Sequence, residues 1–222
     1  MRGFVVQYTP TPLPASAPQH GGIAFLDRDG VLNLGSPEYI NHPSEFKILA
    51  NAPKAVGILR RAGYKICVVT NQSAILRGLW DKNRLHQIHN YMRQVFLEQD
   101  SDAHFDMILG CPHRHRDRCM CRKPKPGMLR FGERVLRGLQ PCKEGESVAE
   151  SSLEDGHVDW WGDKPAATNS FDCMVGDRGS DMGAGWAQGV RLFQVNDATG
   201  IYPVLEGILN SENIGDDFHP VR

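Results

Sequence analysis

Two carboxylates separated by one residue, Asp27 and Asp29, come directly after the apolar run Ala24-Phe25-Leu26 and directly before Gly30. The run fits a short buried parallel strand, so both carboxylates lie where the strand ends and can turn toward one small site. We interpret Asp27 as a nucleophile that attacks phosphorus. Because an Asp-x-Asp pair alone also occurs in surface loops and lone cation sites, the rest of the chain must supply the other groups that this chemistry requires.

A carboxylate that attacks a phosphate dianion needs three further groups. Like-charge repulsion calls for a divalent cation with oxygen ligands, usually Mg²⁺, and Asp177 can complete such a site with Asp27 and the backbone carbonyl of Asp29. Fixed positive charge must neutralise the transferred group, and Lys123 is the candidate. A second acid must protonate the leaving alcohol and then activate water, a role that we assign to Asp29.

Polar residues near other expected strand ends can bind the phosphate oxygens. Thr70 and Asn71 follow an apolar run and offer a hydroxyl and amide groups. Arg122, next to Lys123, adds a second cation to this phosphate-binding set. The stretch Trp161-Gly162-Asp163-Lys164 imitates the surroundings of Asp177, but no apolar strand precedes it and no acid lies four residues after Asp163. We therefore keep the cation site at Asp177.

A cysteine-histidine loop indicates a second metal. Cys111 and His113 form a Cys-x-His pair, and Cys119 and Cys121 follow as a Cys-x-Cys pair. Four soft or borderline ligands in a short loop suit tetrahedral Zn²⁺, which would be structural because no coordination position stays open. Since Cys121 lies two residues before Lys123, we expect the metal to fix the loop that aims this lysine. The alternative is free thiols on a basic loop.

The same loop carries three arginines with two possible roles: Arg114, Arg116 and Arg118. They form a solvated charged face, or they recognise a second anionic group on the substrate or a nucleic-acid phosphate. We expect the neighbouring His115 to be exposed, because His113 already has the ligand spacing.

Strand and helix patterns alternate after residue 20. Apolar runs predict strands at 23–26, 65–69, 105–109, 171–175 and 190–195. Apolar spacings of three and four predict helices that begin near Asn51, Asp81, Pro126, Asp181 and Pro203. This alternation predicts an α/β fold, a mostly parallel sheet covered on both faces, whose functional residues gather at the carboxyl ends of the strands.

Three segments fall outside the alternation. Residues 1–20 are rich in proline and are expected to form a mobile extension. Residues 140–170 lack periodicity and are rich in Gly, Ser, Glu and Asp, so we expect a largely disordered surface insertion. Residues 211–222 form a polar tail. The remaining chain, 21–210, is expected to be one domain that contains the insertion.

Four motifs occur in an order that resembles the haloacid dehalogenase superfamily of phosphatases. They are residues 25–33, residues 68–72, Lys123, and Gly176-Asp177-Arg178 with Asp181. The resemblance covers roughly residues 22–195 and implies a three-layer, Rossmann-like domain that is essentially capless. Within the superfamily the chain is similar to the group of histidinol-phosphate and D,D-heptose 1,7-bisphosphate phosphatases, whose structural zinc loop the cysteine-histidine loop resembles.

The combined reading predicts a Mg²⁺-dependent phosphatase that hydrolyses a small phosphomonoester through an aspartyl-phosphate intermediate. Residues 70–78 resemble the heptose-bisphosphate enzymes and favour a sugar bisphosphate such as D-glycero-D-manno-heptose 1,7-bisphosphate. The zinc-loop spacing and Gly176-Asp177-Arg178 look more like the histidinol-phosphate enzymes, which stay an alternative. Alternatives of other classes are a nucleic-acid 3′-phosphatase and a non-catalytic zinc-stabilised binding module.

Composition limits the partners. The formal net charge is -1, so no global field attracts nucleic acid or anionic membranes. No apolar stretch approaches the roughly 18 residues of a membrane span, and no secretory signal is visible at the N-terminus. We expect a cytoplasmic monomer that acts on a small phosphorylated metabolite, without a membrane partner and with nucleic acid disfavoured.

Overall fold

The computed structural model describes residues 3–150 and 157–221. Its strands are β1 Phe4–Tyr8, β2 Ile23–Leu26, β3 Lys65–Asn71, β4 Met107–Cys111, β5 Gly145–Ala149, β6 Cys173–Gly176 and β7 Arg191–Gln194. Over the described residues they form one sheet in the order β5-β1-β4-β3-β2-β6-β7. Within this order the five strands β4-β3-β2-β6-β7 are all parallel to their neighbours. The predicted, mostly parallel sheet is therefore confirmed.

Helices cover both faces of the sheet and give three layers. They are α1 Ala52–Arg61, α2 Lys82–Gln99, α3 Gly127–Leu136, α4 Gly179–Gln188 and α5 Leu205–Leu209. One hydrophobic core lies under α1, α2 and α5, and the other lies under α3 and α4. Strands β2, β4 and β6 are buried along their whole length, as continuous apolar runs in a covered parallel sheet require. No described helix combines the length and the apolar character that crossing a bilayer demands.

The expectation of a mobile extension is wrong for Phe4–Tyr8. These residues form β1, which pairs antiparallel with β4 on one side and with β5 on the other. Phe4 and Val6 are fully buried, and Arg60 donates hydrogen bonds to the carbonyls of Thr11 and Pro12 farther along the extension. The prolines begin only at residue 10, so their effect on conformation does not reach the apolar residues before them.

The expectation of disorder in the insertion is wrong for Gly145–Ala149. This segment is the edge strand β5, whose side chains alternate between exposed and half-buried positions. Its pattern is too polar to mark a strand, because β5 depends on pairing with β1 rather than on burial. The expectation for residues 151–156 lies outside the described residues. In the polar tail, Gly215 forms an isolated β-bridge with Leu192 of β7.

Candidate active site

The predicted catalytic residues meet at the carboxyl edge of the parallel strands. Asp27 follows β2, Thr70 and Asn71 end β3, and Asp177 follows β6. A cavity of about 310 Å³ opens above them. Its lining includes Asp27, Asp29, Tyr39, Thr70, Asn71, Ser73, Arg77, His115, Arg122, Lys123, Arg178 and Asp181.

Lys123 is the buried cation at the centre of the site. Its Nζ lies 2.9 Å from Oδ1 of Asp27 and 2.6 Å from Oδ1 of Asp181, and it donates to the carbonyl of Val69 at 2.6 Å. Asn71 fixes the backbone of this lysine, since its Nδ2 donates to the Lys123 carbonyl at 3.1 Å and its Oδ1 accepts from the Lys123 N–H at 3.2 Å. The amide of Asn71, which we expected to bind phosphate, thus holds the lysine.

The two carboxylates of the Asp-x-Asp pair have opposite electrostatic environments. Burial, together with the negative charges of Asp181 and Asp29, raises the pKa of Asp27 to about 7 despite the opposing effect of Lys123. Burial also acts to raise the pKa of Asp29, but Arg28, Asn33 and Gln72 outweigh it and hold that pKa below its usual value. Asp29 is therefore an ionised carboxylate in this arrangement.

Three carboxylates form a group that suits a hard divalent cation. Single oxygens of Asp27, Asp177 and Asp181 lie within 4.8 Å of one another. Oδ1 of Asp177 is buried and has no hydrogen-bond partner among the described residues, as expected of an oxygen that awaits a cation. Gly30 adopts φ 82°, and a Cβ there would lie 2.6 Å from Cγ of Asp177. These residues fit Mg²⁺.

The thiol and imidazole groups of the cysteine-histidine loop already approach a tetrahedron. The three sulfurs of Cys111, Cys119 and Cys121 lie 3.4–3.6 Å apart, and Nδ1 of His113 is 3.5 Å from Cys111 Sγ and 3.3 Å from Cys121 Sγ. A tetrahedral zinc with Zn–S bonds of about 2.3 Å would hold sulfur ligands about 3.8 Å apart. The donor set and its spacing therefore fit zinc.

Several lining residues escaped the sequence reading. Tyr39 donates or accepts a hydrogen bond with Ser73 Oγ at 3.1 Å, and its φ of 68° is unusual for a non-glycine residue. Arg178 lies beside Asp177, and Arg77 reaches the cavity from the loop after β3. Two of them had a signal, since Arg178 belongs to the motif Gly176-Asp177-Arg178 and Arg77 falls within residues 70–78, a stretch that we interpreted as typical of sugar-bisphosphate enzymes.

Two of the three arginines in the cysteine-histidine loop line a cavity beside the candidate active site. A second cavity of about 720 Å³ adjoins the first and shares Tyr39, Arg77 and His115 with it. Arg114 and Arg116 line this second cavity, whereas Arg118 lines neither. Arg114 also forms an ion pair with Asp117 at 3.1 Å. His115 is exposed, as expected.

Curated relatives place the chain in a family. A 7-phosphatase for D-glycero-β-D-manno-heptose 1,7-bisphosphate from Pseudomonas aeruginosa is 43% identical over 108 residues, which are 49% of this chain and 60% of that protein. The protein of the same name from Haemophilus influenzae is 39% identical over 174 residues, which are 76% of this chain and 77% of its own length. This chain belongs to their family. It is a haloacid dehalogenase phosphatase family, so the resemblance predicted from the four motifs is confirmed.

The fold of the family member from Bordetella bronchiseptica agrees. The crystal structure of this D,D-heptose 1,7-bisphosphate phosphatase, complexed with magnesium and phosphate, superposes with a TM-score of 0.60 and 28% identity. The superposition covers 80% of this chain and 83% of the other. No protein-family model matches the chain.

Burial of the Asp27 carboxylate predicts a pH-dependent stability cost in this family member. The folded protein retains the Asp27 proton up to about pH 7, whereas the unfolded chain releases it near 3.8, so the free energy of unfolding falls as pH rises through this window. Without added Mg²⁺, the free energy of unfolding of Asp27→Asn should therefore exceed that of wild type by roughly 2–4 kcal/mol at pH 8, which raises its melting temperature, and the two proteins should be nearly equal at pH 4. Thermal unfolding at the two pH values measures this, and an equal gap at both would contradict it.

Proposed function

We propose that the protein is a Mg²⁺-dependent phosphatase that hydrolyses a small sugar bisphosphate, with D-glycero-D-manno-heptose 1,7-bisphosphate as the favoured substrate. The observation that carries the proposal is the buried position of Lys123 Nζ between Asp27 and Asp181 in the lining of the cavity, with Asp177 grouped beside the same two carboxylates. The substrate named for the curated relatives supports the choice of sugar. We place the enzyme in the cytoplasm, since reduced thiols in the cysteine-histidine loop need a reducing compartment, and we propose that it acts as a monomer.

In the first step Asp27 takes the phosphoryl group. Oδ1 of Asp27 is held by Lys123 and by the N–H of Arg28, at 2.9 and 2.7 Å, so we assign Oδ2 as the attacking oxygen. The bond between phosphorus and the leaving oxygen breaks as the bond to Oδ2 forms, and Asp29 supplies a proton to that oxygen. Asp29 takes up this proton from solvent water beforehand, when the phosphate dianion arrives beside it and raises the proton affinity of the carboxylate.

In the second step water removes the phosphoryl group from Asp27. Asp29, now a carboxylate again, takes a proton from the attacking water, and the bond between phosphorus and Oδ2 breaks to release inorganic phosphate. Thr70 can donate its hydroxyl proton to a phosphate oxygen, because its Oγ1 accepts a hydrogen bond from Gln72 at 2.8 Å. Lys123 and Arg122 neutralise the remaining charge.

The two metals have separate tasks. Asp27, Asp177 and the backbone carbonyl of Asp29 would hold Mg²⁺, which would screen the repulsion between the carboxylates and the phosphate. Asp181, the third carboxylate of the group, is paired with Lys123. Cys111, His113, Cys119 and Cys121 would hold zinc as a structural ion.

The second cavity supports a substrate with two anionic groups. Three guanidinium groups, those of Arg77, Arg114 and Arg116, line it next to the phosphate end of the site. Guanidinium groups bind phosphate in a bidentate manner, so this cavity is suited to the phosphate that stays on the sugar. Phosphate recognition at both ends would favour a bisphosphate over histidinol phosphate, which carries an amine at its other end.

Removal of these cations should affect one substrate class only. For Arg77→Ala and Arg116→Ala, kcat/KM for the sugar bisphosphate should fall roughly tenfold for each variant, while kcat/KM for the matching sugar monophosphate stays constant. Arg118→Ala is the control, because Arg118 lines neither cavity. Equal losses on both substrates would place these arginines elsewhere in the mechanism.

A phosphate-release screen tests the function itself. Purified protein with Mg²⁺ is given D-glycero-D-manno-heptose 1,7-bisphosphate, other sugar mono- and bisphosphates, histidinol phosphate and a 3′-phosphorylated oligonucleotide. The heptose bisphosphate should give the highest kcat/KM. Faster hydrolysis of histidinol phosphate or of the oligonucleotide would replace the proposed substrate, and no release from any compound would favour a non-catalytic binding module.

A further inference from the structure

A buried polar chain leads from the N-terminal strand to Asp29. Gln7 on β1, His89 on α2 and Arg28 between the two carboxylates are exposed by 3%, 1% and 0%. Gln7 Oε1 lies 2.7 Å from Nδ1 of His89, and Nε2 of His89 lies 3.4 Å from Nη1 of Arg28. Buried polar groups of this kind need partners, and each of these side chains supplies one for the next.

Arg28 holds Asp29 through most of its donors. Its Nε donates to Oδ1 of Asp29 at 3.1 Å, and its Nη2 lies 2.9 Å from each carboxylate oxygen. Only Nη1 points away from Asp29, toward His89. The rotation of the guanidinium plane, and with it the direction of the Asp29 carboxylate, therefore depends on what receives the Nη1 protons.

The partners determine the tautomer of His89. Gln7 presents its oxygen to His89, because its Nε2 faces two acceptors, Oδ1 of Asn90 and Oε1 of Glu146, both at 3.4 Å. An amide oxygen only accepts, so Nδ1 of His89 carries the proton and Nε2 carries a lone pair. Burial and then the charge of Arg28 hold the pKa of His89 well below its usual range, so the ring is neutral.

We infer that His89 and Gln7 are positioning residues that orient Arg28 and, through it, the proton-transferring carboxylate Asp29. The role rests on the proposed function, in which Asp29 transfers protons. It makes β1 part of the catalytic apparatus, although no residue of that strand lines the active-site cavity. Gln7, His89 and Arg28 act on Asp29 and make no contact with the phosphate. Loss of this polar chain should therefore lower kcat and leave KM unchanged.

A matched pair of substitutions at His89 tests the inference. His89→Gln can place an acceptor oxygen where Nε2 lies and should keep kcat within about threefold of wild type, whereas His89→Asn reaches only the Nδ1 position and should lose about tenfold in kcat. The melting temperatures of the two variants should be similar. Equal kcat values for the two variants, or a change that falls on KM, would overturn the inference.

The tautomer offers a test that does not depend on activity. Nitrogen-15 spectra of wild-type protein should show a neutral His89 protonated at Nδ1, and Gln7→Leu should abolish that preference. Protonation at Nε2, or a charged ring at pH 7, would overturn the role of the lone pair. If wild-type protein releases phosphate from no substrate, the proposed function fails, while this spectrum still decides whether the polar chain exists.

Discussion

Asp27→Asn should lower phosphate release by about 10⁴-fold or more, because an amide cannot attack phosphorus and the other carboxylate on Lys123, that of Asp181, is fully buried. The measurement is kcat on the best substrate of the screen, together with acid quenching of wild-type protein during turnover. Quenched wild type should carry an acid-stable, hydroxylamine-sensitive phosphoryl group, and the variant should carry none.

Asp163→Asn is the matched control for this prediction. Asp163 lies in the sequence Gly162-Asp163-Lys164, which resembles the surroundings of Asp177. It is nevertheless exposed, and it lines a separate cavity with Trp161 and Trp186. Its substitution should leave kcat unchanged. Wild-type rates from Asp27→Asn would show that another group attacks phosphorus, and equal losses from both variants would point to a general effect on the fold.

Cys121→Ser should lose the bound zinc and most of the phosphatase activity. Metal-site formation contributes directly to folding, and a domain has only about 5–15 kcal/mol of net stability, so the loss of one zinc ligand should lower the melting temperature sharply. Lys123 follows two residues later, and its Nζ must stay within 2.9 Å of Asp27. A displaced loop should therefore reduce kcat by about 10²-fold.

Metal analysis and a second cysteine variant separate this effect from ordinary thiol loss. Wild type should contain about one zinc per chain, in keeping with the four-ligand cluster. Cys142→Ser removes a half-buried thiol outside the cluster and should change neither zinc content nor kcat. Wild-type protein without zinc, or a Cys121→Ser variant with full activity, would exclude the structural role of the ion.

The positions of the candidate catalytic residues were predictable because each has a local sequence signal. Asp27, Thr70 and Asp177 follow apolar runs, and in a parallel sheet all such runs end at the same edge. The spacing of the two cysteine-containing pairs in the cysteine-histidine loop indicates a metal site. The contact of Lys123 with Asp181 was not predictable, since it depends on how the loop before α3 packs against α4.

The missed strands β1 and β5 show where local patterns fail. Neither strand has a partner close in sequence, and β5 has no buried face of its own. Tyr39 enters the site through a loop conformation that depends on distant contacts. The positions of Gln7 and His89 likewise follow from tertiary pairing, and residue types alone give no signal for them.

The place of β1 in the sheet has a consequence for synthesis of the protein. The ribosome makes this strand before either of its partners, because β4 begins about a hundred residues later and β5 later still. The nascent chain therefore carries an apolar strand without a partner until about a hundred further residues have been made. Closure of this half of the sheet relies on contacts of high sequence separation, which form slowly, so we expect it to be a late event in folding.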